Sequence, residues 1–146
     1  MIYLDTSYIV KCYLREPGTR EVLRWIEGQV GLCCCSHGRI ELFAAVKRHV
    51  RESRLSRTDA RTAFARLESD EAEDLWNWIP ITDALIRGAC KRTQQLSEKV
   101  FLRAADALHL TCAAESGFKE VYSHDGHFLA AAPHFGIKGI DIIQET

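Results

Sequence analysis

No stretch of the chain is long and apolar enough to span a bilayer. The first residues carry no basic run ahead of an apolar segment, and Asp5 interrupts the apolar start, so no secretory leader is expected. Six cysteines are present, yet none forms a C-x-x-C pair. Cys33, Cys34 and Cys35 are consecutive, and strand neighbours point to opposite faces, so the three cannot converge on one metal or bridge each other. Their expected role is small apolar packing in a reducing compartment, which makes a cytoplasmic protein with no membrane partner the expectation. Net charge is −1, so no global excess of one sign advertises a polyanion partner. Repeats, linkers and low-complexity segments are absent as well.

What remains is an ordinary globular composition, 47% hydrophobic and 27% charged over 146 residues. That length predicts a single domain over 1–146 with a core of its own. Basic residues bunch in one stretch: Arg39, Lys47, Arg48, Arg51, Arg54, Arg57, Arg61 and Arg66. Most are expected on solvated helical faces, although a near-neutral total still permits a local basic groove.

The opening Met1-Ile2-Tyr3-Leu4-Asp5-Thr6-Ser7 organises the rest. Apolar β-formers run into a carboxylate and two hydroxyl residues, the pattern of a buried strand feeding a helix. A helix over Tyr8 to Leu14 follows, and a second over Arg20 to Glu27 turns Val22, Leu23 and Ile26 inward. Val30 to Cys35 reads as a strand covered on both faces, and Ser36 is placed to cap a helix reaching Ser53. The next helix starts at Ser56 and buries Ala63, Phe64 and Leu67. Trp78 to Ile81 is the third predicted strand, and Thr82-Asp83 caps a helix ending near Leu96. Ala104 to Ser116 forms a strongly apolar helix closed by Gly117. Lys119 to Ser123 is the fourth strand, Phe128 to Ala132 a short helix, and Ile137 to Ile143 the last strand. Strands alternating with helices, and apolar on both faces, predict a three-layer α/β/α sandwich around a mostly parallel five-stranded sheet.

Four carboxylates stand out. Asp5 follows the first strand, where an open α/β sheet places its chemistry, although a helix cap is the simpler role. Glu41 has His37, Gly38, Ala44 and Ala45 as its helical neighbours, so no lysine or arginine offers it a local ion pair. Asp106 opens the most apolar helix, where a buried carboxylate needs a cation or several donors; Arg103 and the helix N-terminus are the structural candidates. Asp125 repeats the position of Asp5, strand then hydroxyl then carboxylate then helix, with a turn role as the alternative. His124 and His127 flank it without a recognised zinc spacing and are not assigned as ligands.

The set Asp5-Thr6-Ser7, Ser36 to Glu41, Leu102-Arg103-Ala104-Ala105-Asp106-Ala107-Leu108-His109 and Ser123, Asp125, Phe128 resembles the PIN-domain family, and more narrowly its VapC ribonuclease toxins. The resemblance covers essentially the whole chain. It implies strand order 3-2-1-4-5 and an endoribonuclease using Mg²⁺ or Mn²⁺ held by Asp5, Asp106, Glu41 and Asp125. Thr6, Ser7 and Ser123 would support those carboxylates; Ser123 stands where many members carry threonine. That strand order puts the topological switch between the strands that lead into Asp5 and Asp125. Four carboxylates in one crevice repel each other without cations, and oxygen donors alone select hard ions, one or two in number. A small antitoxin, a homodimer and an RNA substrate are implied in the same way. A haloacid-dehalogenase-type phosphatase would need a second Asp where Ser7 stands, and a receiver domain would need an acidic neighbour to Asp5. A catalytically inert PIN scaffold that binds RNA or protein is the remaining alternative.

Overall fold

The computed structural model describes residues 1–143. Five strands, β1 (Ile2–Leu4), β2 (Leu32–Cys35), β3 (Trp76–Ile79), β4 (Glu120–Tyr122) and β5 (Lys138–Ile140), form one sheet in the order β3-β2-β1-β4-β5, parallel throughout. The α/β class and the strand order therefore match the sequence expectation. Tyr3 and Leu4 on the central strand are fully buried, as are Cys33, Cys34 and Cys35 on β2. Such strands are apolar on both sides because helices cover both faces.

Those helices are α1 (Thr6–Tyr13), α2 (Thr19–Ile26), α3 (His37–Arg51), α4 (Arg57–Ala72), α5 (Asp83–Gln95), α6 (Ala104–Glu115) and α7 (Gly126–Ala131), with a 3₁₀ turn at Ala132–Phe135. The first four pack among themselves, while α5 packs on α6 and α6 on the 3₁₀ turn. Right-handed crossovers require this division, since the chain moves outward from β1 to β3 and then reverses across the sheet to β4 and β5. The reversal leaves β1 beside β4, and the backbone continues the pairing past the strands: Asp5 N–H donates to Tyr122 O at 3.0 Å and Ser123 N–H to Ile140 O at 3.0 Å. Asp5 and Ser123 therefore leave the same edge side by side.

Several boundaries differ from expectation. The second strand starts at Leu32, because Gly31 adopts φ +78° and turns Val30 out to 83% exposure. The third strand lies two residues earlier than Trp78 to Ile81. Its register is set by pairing Leu32 with Trp76 and by two indole anchors, Trp76 Nε1–H to the Tyr13 hydroxyl at 2.6 Å and Trp78 Nε1–H to Glu71 at 2.7 Å. Leu23 lies on the outside of α2, leaving Val22 as its buried contact. Ser36 sits in a helical conformation and makes no side-chain cap, whereas Ser56 and Thr82 do cap α4 and α5. All six cysteines are free thiols, and five are buried. Among the described residues no helix is long and apolar enough to cross a membrane.

Candidate active site

Asp5 is 6% exposed and caps α1. Its Oδ1 accepts from Ser7 N–H at 2.7 Å and from the Ser7 hydroxyl at 2.6 Å, and its Oδ2 from the Ser123 hydroxyl at 2.7 Å. All three donors are uncharged. Burial therefore raises the Asp5 pKa, with the Ser7 and Ser123 hydrogen bonds opposing the rise only in part. A buried carboxylate with three neutral donors and no ion pair is poised to welcome a cation.

Asp125 lies across the β1/β4 junction at the start of α7. Its Oδ1 accepts from His127 N–H at 2.9 Å and Phe128 N–H at 3.3 Å, so the cap role holds. Its backbone N–H donates to Ser123 Oγ at 2.9 Å, which ties its loop to the hydroxyl that serves Asp5. The Arg103 guanidinium also bonds Asp125 directly. Burial opposes the charge on Asp125, but Arg103 and the two backbone donors overcome it and hold the pKa below the usual carboxylate range.

Asp106, 7% exposed, occupies the first turn of α6. It accepts Arg103 Nε–H at 2.8 Å and Nη2–H at 3.2 Å, and Arg103 backbone N–H at 3.3 Å, so all three bonds are donated by the residue that precedes the helix. The local ion pair offered by the sequence is thus formed, and the same guanidinium spans to Asp125. Arg103 thus supplies a positive charge shared by Asp106 and Asp125.

Glu41 is joined from the other side. Its Oε1 accepts the Thr6 hydroxyl at 2.9 Å and faces His109 Nε2 at 2.6 Å, with His37 Nε2 at 3.7 Å. Burial works against its charge, yet His109, Thr6 and His37 together lower its pKa. His109, 2% exposed, is in turn held through Nδ1 by the Tyr3 hydroxyl at 2.9 Å, which accepts from Cys35 N–H at 3.0 Å. The sequence reading missed this histidine, although a lone polar residue three positions after Asp106 in an apolar helix was a usable signal. It missed Asp141 too, whose carboxylate takes the Tyr8 hydroxyl and His124 Nδ1, both at 2.7 Å. His124 is thereby committed to Asp141, and His127 lies against the Phe101 ring.

The hydroxyl and guanidinium links place Asp5, Asp125 and Asp106 in one connected network, with Glu41 attached through Thr6, the residue after Asp5. Among the described residues, however, no three His, Cys, Asp or Glu side chains stand arranged to share one metal ion. The donor chemistry fits a hard divalent cation, oxygen atoms throughout and a buried Asp5 without a positive partner. What differs is the arrangement, because Arg103 holds two of the four carboxylates.

Residues 2–132 match the family described as PIN domain. The chain belongs to the PIN-domain family. It is also 31% identical over 119 residues to ribonuclease VapC47 of Mycobacterium tuberculosis, covering 79% of this chain and 76% of that protein. In this PIN domain, the span matched to the family, residues 2–132, includes all four carboxylates and Arg103.

Proposed function

We propose that this PIN domain is a divalent-metal-dependent endoribonuclease, with Asp5, Glu41, Asp106 and Asp125 as its metal-holding and catalytic carboxylates. The observation that carries the reading is Asp5, a buried carboxylate at the β1/β4 switch held only by uncharged donors. When bound, Mg²⁺ or Mn²⁺ would supply Lewis acidity and an activated water for phosphodiester hydrolysis. The chain's own part is positional. Ser7 and Ser123 fix both oxygens of Asp5, Thr6 and His109 fix Glu41, and the α7 backbone fixes Asp125. Arg103 supplies positive charge where a phosphate would approach. Similarity to a ribonuclease supports RNA as substrate.

Incubating the protein with single-stranded RNA in Mg²⁺, in Mn²⁺ and in chelator tests this. Cleavage in metal, abolished by chelator and by Asp5→Asn, is expected; chelator-resistant cleavage by pure protein would refute metal dependence. The arrangement around Arg103 favours one competing reading, an inert scaffold in which the guanidinium takes the metal's place permanently. RNA that binds but is never cut, with either metal, would establish it.

The family resemblance adds a small antitoxin and a second copy of the chain as partners. Expression alone should then arrest bacterial growth, relieved by a small protein encoded beside this one. Unimpaired growth with abundant folded protein would refute the toxin reading while leaving the nuclease one standing.

A further inference from the structure

The basic bunch between residues 47 and 61 holds six cations against two acids in a chain of net charge −1. The structure divides the wider bunch. Arg39 pairs with Glu71, Arg54 with Glu52, and Arg66 lies over the Tyr13 ring while donating to Cys12 O. Lys47, Arg48, Arg51, Arg57 and Arg61 are exposed, and none forms an ion pair among the described residues.

Those five are not scattered. On α3, Glu41, Ala45 and Arg48 recur at helical spacing, and Arg51 follows one turn further, so one face runs from the candidate site to the arginines. At 1.5 Å per residue, Glu41 to Arg51 spans about 15 Å. Thr6, Ser7, Glu41, Ala44, Arg48 and Arg51 line one groove of about 570 Å³, whose remaining charges, Lys11 and Glu16, pair with each other at 3.1 Å. The small side chains of Ala44 and Ala45 leave its floor open. Arg51 is shared with a second groove of about 450 Å³, walled by Lys47, Arg57, Arg61 and Phe64 and containing no acid. Phe64, half-buried and stacked on Phe43 at 4.5 Å, gives that end an aromatic surface.

We propose that this α3–α4 face is a track for the phosphodiester backbone of single-stranded RNA, running from the Glu41 side of the site over Arg48 and Arg51 to Arg57 and Arg61. The proposal rests on the ribonuclease reading for its occupant. Unpaired cations in open grooves that continue from a candidate phosphodiester site fit a flexible polyanion, and a part-exposed aromatic pair offers a base a face to stack on. Arginines already engaged with Glu71 and Glu52 fall outside the track.

Binding of a labelled oligouridine to the full-length protein, measured in chelator across a salt series, tests this without cleavage. Arg48→Ala/Arg51→Ala and Arg57→Ala/Arg61→Ala should each reduce the slope of log affinity against log salt by about 1.4, two single-strand phosphate contacts. Arg57→Lys/Arg61→Lys should restore the slope, because a phosphate contact needs the charge more than the guanidinium fork. Lys119→Ala/Lys138→Ala, at the opposite edge of the sheet, should leave it unchanged. Wild-type slopes in both arginine variants, or an equal fall in the Lys119/Lys138 control, would overturn the proposal. So would loss of poly-glutamate binding with RNA binding intact, which assigns the face to an acidic protein segment. Because no metal is present, absence of cleavage elsewhere bears on the nuclease reading alone.

Discussion

Arg103 is the one residue on which the charge balance of the site turns, and Arg103→Met removes its guanidinium while keeping most of the apolar stem. The carboxylate left behind, Asp106, is 7% exposed and loses two of its three donors. Breaking a buried pair in this way costs about 3–5 kcal/mol, and a largely exposed one under about 1 kcal/mol. The Arg103 side chain is 50% exposed, so water reaches and screens the pair. An intermediate loss of about 1–3 kcal/mol is expected in chelator, roughly 3–10 °C in melting temperature for a domain of this size. Divalent metal should reverse the ranking of the two proteins' responses. One ion at a hundredfold excess over its dissociation constant adds about 2.7 kcal/mol, but in the wild type it must first displace the guanidinium from Asp106 and Asp125. Arg103→Met should therefore gain more from Mg²⁺ than the wild type does. Asp106→Asn should melt lower than wild type in chelator, since it leaves Asp125 as the sole carboxylate paired with Arg103, and should respond less to metal. Acid titration follows the same logic: Asp125 has a depressed folded-state pKa, so its stabilisation is present above the ordinary carboxylate pKa and lost as pH falls through the depressed value. In Arg103→Met that loss should begin at higher pH. Thermal melts of the three proteins, with chelator and with Mg²⁺, decide the matter. If Arg103→Met melts as the wild type does in chelator and shifts equally with Mg²⁺, the guanidinium is not the counter-ion of this site.

Asp5 has the opposite linkage. Its folded-state pKa is raised, so the folded form keeps its proton to higher pH and stability falls as pH rises from about 4 through the raised value. Asp5→Asn should flatten that fall in chelator while abolishing cleavage; a pH–stability curve identical to wild type would show that Asp5 is not perturbed. His109→Phe fills about the same space but removes one hydrogen-bond partner each from Glu41 and from the Tyr3 hydroxyl, so urea unfolding should report a loss of about 1–3 kcal/mol. An unchanged midpoint would mean that water substitutes freely. Cys90 is the exposed thiol, so a water-soluble thiol reagent should label one cysteine quickly in the native protein and the other five only on unfolding. Rapid labelling of more than one thiol would contradict the packing of Cys33, Cys34 and Cys35.

What could be read from the sequence was what local pattern determines. Alternating strand and helix signals, with apolar residues on both strand faces, specify covered parallel strands, and the position of Asp5 and Asp125 just past two of them follows from that alone. The third strand lies two residues earlier because Trp76, Trp78 and Ile79 are equally good β-formers; the choice among them is made by Leu32 and Tyr13, which are distant in sequence. Leu23 lies outside for a related reason, since a short helix packed on α1 buries a narrower stripe than its apolar residues would fill.

The site was legible as a set of residues and not as a set of bonds. Glu41 was notable for having no local cation, and its partner proves to be His109, on a helix from the other layer that no spacing rule could pair with it. Arg103 was visible three residues before Asp106 as an ordinary helix-cap ion pair. Its second contact, to Asp125, depends on α6 and the β4 loop meeting at one edge, which only the reversal of the sheet at β1/β4 brings about. That reversal gathers acids from four separate stretches, and gathering them creates a need for positive charge at one edge. Arg103 meets the need for Asp106 and Asp125, and His109 meets it for Glu41. Asp5 alone forms no ion pair among the described residues, and it is the most deeply enclosed of the four. A divalent ion entering this edge would gain most from Asp5 and would compete least there, so Asp5 is where occupancy by metal should begin and Arg103 is what it must displace to go further.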